Sequence, residues 1–204
     1  MKLTVGRTCY VTFGRFQPPT VGHGASMDAI ASAAKEGGGD YRIYISQTNK
    51  PVKENPIPPD VKTDILKKGF PKHAKNIYSS PKFNVIPAAL EDVMLAGYRN
   101  CVYMCGSDRM NEPQMQFVLK NNGVQPKKGH YYNFWSMWME SSGNRDPEGK
   151  TFAMSGTKMR IAAQQGDWDF FKKGCPKGLT EKQAKEWMDY LGCLLYTSPS
   201  PRDS

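Results

Sequence analysis

Apolar residues in this chain follow two rhythms. Short, nearly continuous runs rich in β-branched and aromatic residues fall at 8–13 (TCYVTF), 41–46 (YRIYIS), 83–86 (FNVI), 101–105 (CVYMC) and 131–139 (YYNFWSMWM), and each predicts a strand. Between them, at 26–34, 60–69, 88–96 and 112–119, apolar residues recur at helical spacing. The order is strand, helix, strand, repeated to a fifth strand, and then helical patterns at 159–165, 166–173 and from Thr180 onward.

Such an alternation is accommodated by a right-handed, doubly wound parallel sheet. The expected fold is a single Rossmann-like α/β domain of about five strands with helices on both faces and a C-terminal helical extension. The run at 101–105 has no polar position, as in a strand buried on both faces. Apolar side chains at both parities of 131–139 predict a fifth strand that is central too. Asp60 early, Lys67 and Lys68 late, and Gly69 as a stop suit the dipole of the second helix. Thr180-Glu181-Lys182-Gln183 is a capping box for the last helix. The ending Leu195-Tyr196-Thr197-Ser198-Pro199-Ser200-Pro201-Arg202-Asp203-Ser204 does not continue that helix and resembles a translated sequencing adapter. The domain is therefore expected to occupy 1–192, with 193–204 a non-native tail.

Length and charge narrow the chemistry. The 204 residues suffice for one ordinary domain, and the formal net charge of +9 suits a polyanion, whether nucleoside triphosphate, RNA or an acidic membrane. No apolar stretch reaches the roughly 18 to 20 residues of a membrane span, and residues 1–6 lack a signal-peptide core, so a soluble, cytoplasmic protein is expected. Five cysteines (Cys9, Cys101, Cys105, Cys175 and Cys193) form no C-x-x-C pair and read as buried thiols in a reducing compartment, with Cys101 and Cys105 on one strand face. His73 and His130 stand in polar, Lys-rich surroundings and read as surface residues.

Two stretches carry candidate chemistry. Phe13-Gly14-Arg15-Phe16-Gln17-Pro18-Pro19-Thr20-Val21-Gly22-His23-Gly24 joins the first strand to the first helix. Ligands of such sheets sit outside the carboxyl ends of the strands, where a helix N-terminus offers N–H groups to an anion. Gly14 and Gly22 let the backbone approach a phosphate, and Pro18-Pro19 stiffens the loop. The second stretch is Met154-Ser155-Gly156-Thr157-Lys158-Met159-Arg160. There Ser155 is a good N-cap, and the spacing to Arg160 gathers hydroxyls, amides and a guanidinium at another helix start.

Together, G-R-F-Q-P-P-T-x-G-H and M-S-G-T-K-M-R resemble the paired motifs of the nucleotidyltransferase superfamily, which includes nicotinamide mononucleotide adenylyltransferases and cytidylyltransferases. The chain is most similar to short phage-encoded members, which would place it in a host cytoplasm. The resemblance covers roughly residues 8 to 175. It implies transfer of a nucleotidyl group from a nucleoside triphosphate, ATP ahead of CTP, to a phosphorylated acceptor such as nicotinamide mononucleotide, with release of pyrophosphate. His23 would donate to the α-phosphate. Thr20 stands where many relatives have His and can donate a hydrogen bond but carry no charge. Phe13, Gly14, Arg15 and Gly22 would line the phosphate path, and Arg160, Ser155 and Thr157 would hold the leaving pyrophosphate. Mg²⁺ would be bound mainly through phosphate oxygens and water, with no dedicated protein cage.

Weaker resemblances add candidates. The Pro-rich stretch 47–59 is either a connector or a substrate contact through Lys53 and Asn55. Gly106-Ser107-Asp108-Arg109 resembles the segment beside the nucleotide ribose, with Gly106 and Asp108 as candidates, while Arg109 either pairs with Asp108 or faces water. Trp135 is a candidate to reach a base, and 141–150 is a polar loop whose Arg145-Asp146-Pro147 resembles one preceding the second motif. A different class stays open: the same basic, aromatic domain could bind nucleotide or RNA without catalysis.

Overall fold

The structure, a computed structural model, describes residues 6–50, 53–143 and 154–196. The elements run β1 (Thr8–Gly14), α1 (Val21–Glu36), β2 (Asp40–Ile45), α2 (Pro59–Gly69), β3 (Ile77–Tyr78), α3 (Ile86–Leu95), β4 (Asn100–Cys105), α4 (Pro113–Lys120), β5 (Ser136–Ser141), α5 (Gly156–Gln165), α6 (Trp168–Gly174) and α7 (Glu181–Tyr196). All five strands are parallel, in the order β3-β2-β1-β4-β5. The Rossmann-like doubly wound α/β sheet expected from the sequence is what forms.

Strand periodicity explains the layers. Because side chains alternate across a strand, Cys9, Val11, Tyr44, Cys101, Tyr103 and Cys105 meet α3 and α4 on one face. Tyr10, Ile43, Ile45, Val102 and Met104 meet α1 and α2 on the other. Cys101 and Cys105 do share a face. A third cluster joins Ile57 and Ile65 to α5, α6 and α7, with Met159, Phe171, Trp187 and Leu191 at its centre. This packing seats the start of α5 against the β1–α1 loop. No described helix is long and apolar enough to cross a membrane.

Four expectations are corrected. The third strand is Ile77–Tyr78, not 83–86. Phe83 and Ile86 are buried, but Pro87 lies in the first turn of α3, where its fixed φ suits a helix start, and the apolar pair fills the core from the loop before that helix and from its first residue. The fifth strand is shifted to Ser136–Ser141 and lies at the sheet edge rather than its centre. Tyr132 and Phe134 are buried outside any strand, tied by Tyr132 Oη to the Val118 carbonyl (2.6 Å) and by Phe134 N–H to Asn122 Oδ1 (2.8 Å). Helix α7 runs on through Tyr196, with Leu195 buried and Tyr196 Oη donating to the Gln164 carbonyl. Finally, His73 is no surface residue: it is 2% exposed, with Nδ1 3.0 Å from Tyr41 Oη and Nε2 2.9 Å from Asp28 Oδ1. His130 is half-exposed and pairs with Glu91.

Candidate functional site

A cleft of about 620 Å³ opens at the carboxyl ends of β1 and β4. The chain reverses its direction of winding between these strands, and such a switch point leaves a crevice in an open parallel sheet. One wall is the β1–α1 loop and the first turn of α1, and the opposite wall is the start of α5. Glu54 and Asn55 approach from the connection between β2 and α2, and Cys105-Gly106 at the end of β4 closes the floor. Both sequence motifs thus face one space.

Thr20 is the N-cap of α1, in extended backbone and 2% exposed. Its main-chain N–H donates to Nδ1 of His23 at 2.9 Å, and its Oγ1 lies 3.0 Å from the same nitrogen. A main-chain N–H can only donate, so Nδ1 is an acceptor and the neutral ring carries its hydrogen on Nε2. Phe16 supports the ring from the side, edge to face with centroids 4.9 Å apart. Phe16 is the one non-glycine residue with positive φ (50°) among those described, and it is 7% exposed. Left-handed backbone at a bulky residue is costly. The ring fits because position 14 is glycine: a Cβ there would stand 2.7 Å from the Phe16 ring.

On the opposite wall, Ser155 caps α5 by accepting from the Lys158 N–H at 3.2 Å. Arg160, one turn further on, donates from Nη1 to the Gln17 carbonyl and from Nη2 to Thr157 Oγ1 at 3.1 Å. Burial holds the guanidinium below its ordinary value, and Arg15 pushes the same way while Glu54 opposes it. The described wall carries three arginines, Arg15, Arg109 and Arg160, against one carboxylate, Glu54. A partly desolvated guanidinium such as that of Arg160 is stabilised by an anion in the space it faces.

Of the residues singled out from the sequence, Phe13, Gly14, Arg15, Thr20, Gly22 and His23 lie in the cleft wall from the first motif. Ser155, Thr157 and Arg160 lie there from the second, and Asn55 and Gly106 line it from elsewhere. Lys53 is exposed outside it, and Asp108 is exposed with its carboxylate turned back toward Gly106. Arg109, its side chain 36% exposed, pairs with Glu112 at 3.3 Å. Trp135 cannot serve the cleft: its main-chain N–H bonds the Arg99 carbonyl and its ring lies against Gly6, both at the amino ends of the strands. The Arg145-Asp146-Pro147 loop lies outside the described residues.

Sequence reasoning passed over Phe16, Gln17, Glu54 and Lys62. The first two sit inside the leading motif, and Glu54 adjoins Asn55. Lys62 gave no signal, since a lysine on a short polar helix reads as solvated, yet it is 0% exposed and donates to the Ser46 carbonyl at 2.6 Å. Burial, with Arg15 adding to it, lowers its ammonium to about 8. A second hollow, about 460 Å³, lies at the amino ends of the strands beside Asp40, Arg42 and Tyr98. The nearby guanidiniums of Arg7 and Arg42 are matched by Asp40 and Asp92, so the chemistry belongs to the first cleft.

No protein-family profile matches this chain, and no curated protein matches it. Among the solved structures similar to it are these two. One is a Vibrio parahaemolyticus protein assigned as a nicotinate-nucleotide adenylyltransferase, 16% identical with a TM-score of 0.44, over 78% of this chain and 88% of that one. The other is NadR in complex with NAD and AMP-PNP, 16% identical with a TM-score of 0.48, over 85% of this chain and 46% of that one. The chain thus spans under half the length of NadR. At this identity the similarity concerns the path of the backbone.

Proposed function

We propose that this protein is a nucleotidyltransferase that moves a nucleotidyl group from a nucleoside triphosphate, ATP favoured, to a phosphorylated acceptor such as nicotinamide mononucleotide. The observation that carries this reading is the convergence of two helix starts, α1 with His23 and α5 with Ser155, Thr157 and Arg160, on one cleft at the carboxyl end of β1. An oxygen of the acceptor phosphate attacks the α-phosphorus. That P–O bond forms as the bond to the β-phosphate bridging oxygen breaks, and pyrophosphate leaves with the electron pair.

The protein has two tasks in such a step, in-line positioning and donors aimed at growing charge. His23 donates from Nε2 to an α-phosphate oxygen, its orientation set by Thr20 and Phe16. Arg160, with Thr157 beside it, holds the departing pyrophosphate, and Arg15 adds positive potential. Among the described residues no three His, Cys, Asp or Glu side chains gather as a metal site, and Glu54 is the carboxylate in the described wall. An Mg²⁺ ion carried on the triphosphate's own oxygens and water would neutralise phosphate charge.

The test is pyrophosphate release by the full chain from ATP and from CTP, with Mg²⁺ and nicotinamide mononucleotide, beside a His23→Ala variant. Turnover with ATP is expected, falling about 10²- to 10³-fold in the variant, as when one preorganised donor is lost. Near-normal turnover by His23→Ala would refute the role given to the imidazole. Nucleotide-induced stabilisation without pyrophosphate release would favour a binding module instead.

A further inference from the structure

Gln17 lies between the two motifs' helices and is 7% exposed, yet the transfer chemistry gives it no task. Its carboxamide behaves like a strand partner for Ile57: Nε2 donates to the Ile57 carbonyl at 3.0 Å, and Oε1 accepts the Ile57 N–H at 3.0 Å. Nε2 also reaches the Thr48 carbonyl at 3.3 Å. Its main-chain carbonyl accepts from Arg160 Nη1. Position 156 is held to glycine by the same carbonyl, since a Cβ there would stand 2.6 Å from it. One residue therefore ties the β1–α1 loop, the segment that brings Glu54 and Asn55 to the cleft, and the guanidinium at the start of α5.

We propose that Gln17 is a positioning residue that couples the phosphate subsite at Arg160 to the wall carrying Glu54 and Asn55, so that filling the first orders the second. The inference rests on the reading of Arg160 as a phosphate ligand. A guanidinium has five N–H donors, and two of Arg160's nitrogens are engaged with Gln17 and Thr157. The remaining donors suffice for a phosphate group without giving up the bond to Gln17. An Arg160 pinned by an anion can no longer swing away from the Gln17 carbonyl. With residue 17 fixed at its main chain, opening of the Ile57 pairing becomes rarer, because the carboxamide and the carbonyl belong to one residue whose side chain is packed in place. A ligand that selects the closed arrangement shifts its population by its differential affinity for the two states.

The Ile57 amide is a direct reporter, because its hydrogen bond ends on Gln17 Oε1. Its hydrogen exchange would be followed by NMR in the full chain with Mg²⁺ and inorganic pyrophosphate, beside Gln17→Ala and the shorter Gln17→Asn, with pyrophosphate affinity measured by calorimetry in each. Saturating pyrophosphate is expected to slow Ile57 exchange at least fivefold in the wild type. In whichever variant folds, pyrophosphate should still bind, within about tenfold of wild type, while the slowing falls below twofold. Equal slowing in the variants, or none in a wild type that binds pyrophosphate, would overturn the coupling and leave the phosphate reading standing. Failure of the wild type to bind pyrophosphate would remove the phosphate reading, and the coupling with it.

Discussion

Replacing Lys62 with methionine is expected to stabilise the protein at pH 7 and to flatten part of its pH dependence. The ammonium is wholly buried, repelled by Arg15, and held by one carbonyl, that of Ser46. Its drop from the ordinary 10.5 to about 8 corresponds to about 3 kcal/mol of folding stability forgone when the group is charged. Below pH 8 both folded and unfolded chains hold the proton, and the full cost applies. Between about 8 and 10.5 the unfolded chain binds more protons, so this group's contribution makes stability rise with pH. Methionine keeps the apolar stem, but it leaves the Ser46 carbonyl without its donor, at a cost of about 1 kcal/mol. The net gain at pH 7 is about 2 kcal/mol, shrinking to a loss of about 1 kcal/mol above pH 10.5. Urea unfolding of both proteins from pH 7 to 10.5 checks this. Burial also pushes up the thiols of Cys9, Cys101, Cys105 and Cys175. Their contribution is present below the unfolded value near 9 and lost as pH rises toward their folded values, but it cancels in the difference between the two proteins. A difference that stays constant across this range would refute the reasoning.

Three further outcomes can be checked. Arg160→Ala should weaken pyrophosphate binding about 10- to 100-fold, as loss of a charged hydrogen-bond donor does, and unchanged affinity by calorimetry would count against its role. Gly156→Ala should cost about 1–3 kcal/mol and lower turnover, because the added methyl meets the Gln17 main-chain carbonyl rather than a side chain that can step aside. Wild-type thermal stability and turnover in that variant would show the contact to be loose. A thiol reagent at pH 8 should label one cysteine, Cys193, in the native protein and five in urea, since the other four are buried. Rapid labelling of two or more native thiols would contradict the packing of the sheet.

What the sequence discloses depends on whether a residue's partners are near it in the chain. The strands β1, β2 and β4 are legible because their short, nearly continuous apolar runs are themselves the record of two buried faces, and Ser155 is legible as a cap because a helix end is a local event. β3 is not, because two paired residues are too few to carry a period, and the apolar Phe83 and Ile86 nearby offer a false one. His73 is misread because Tyr41 and Asp28, which make its burial tolerable, lie 32 and 45 positions away. The same holds for Lys62, whose carbonyl partner, Ser46, lies 16 positions away. The two motifs announce themselves, while the residue that ties them together, Gln17, does so only once Ile57 and Arg160 are brought to it.

The fit between Gly14 and Phe16 has a consequence for how this loop can change over generations. A methyl group at position 14 would stand 2.7 Å from the ring at position 16, so one of them must move, and the ring is also the side support of His23. Position 14 cannot therefore drift alone: a larger residue there is admissible only once the ring at 16 has shrunk or moved, and either change disturbs the support of the imidazole. The order in which substitutions occur thus decides whether a functioning intermediate exists. The three residues form one heritable unit, separated in the chain but accepted or lost together.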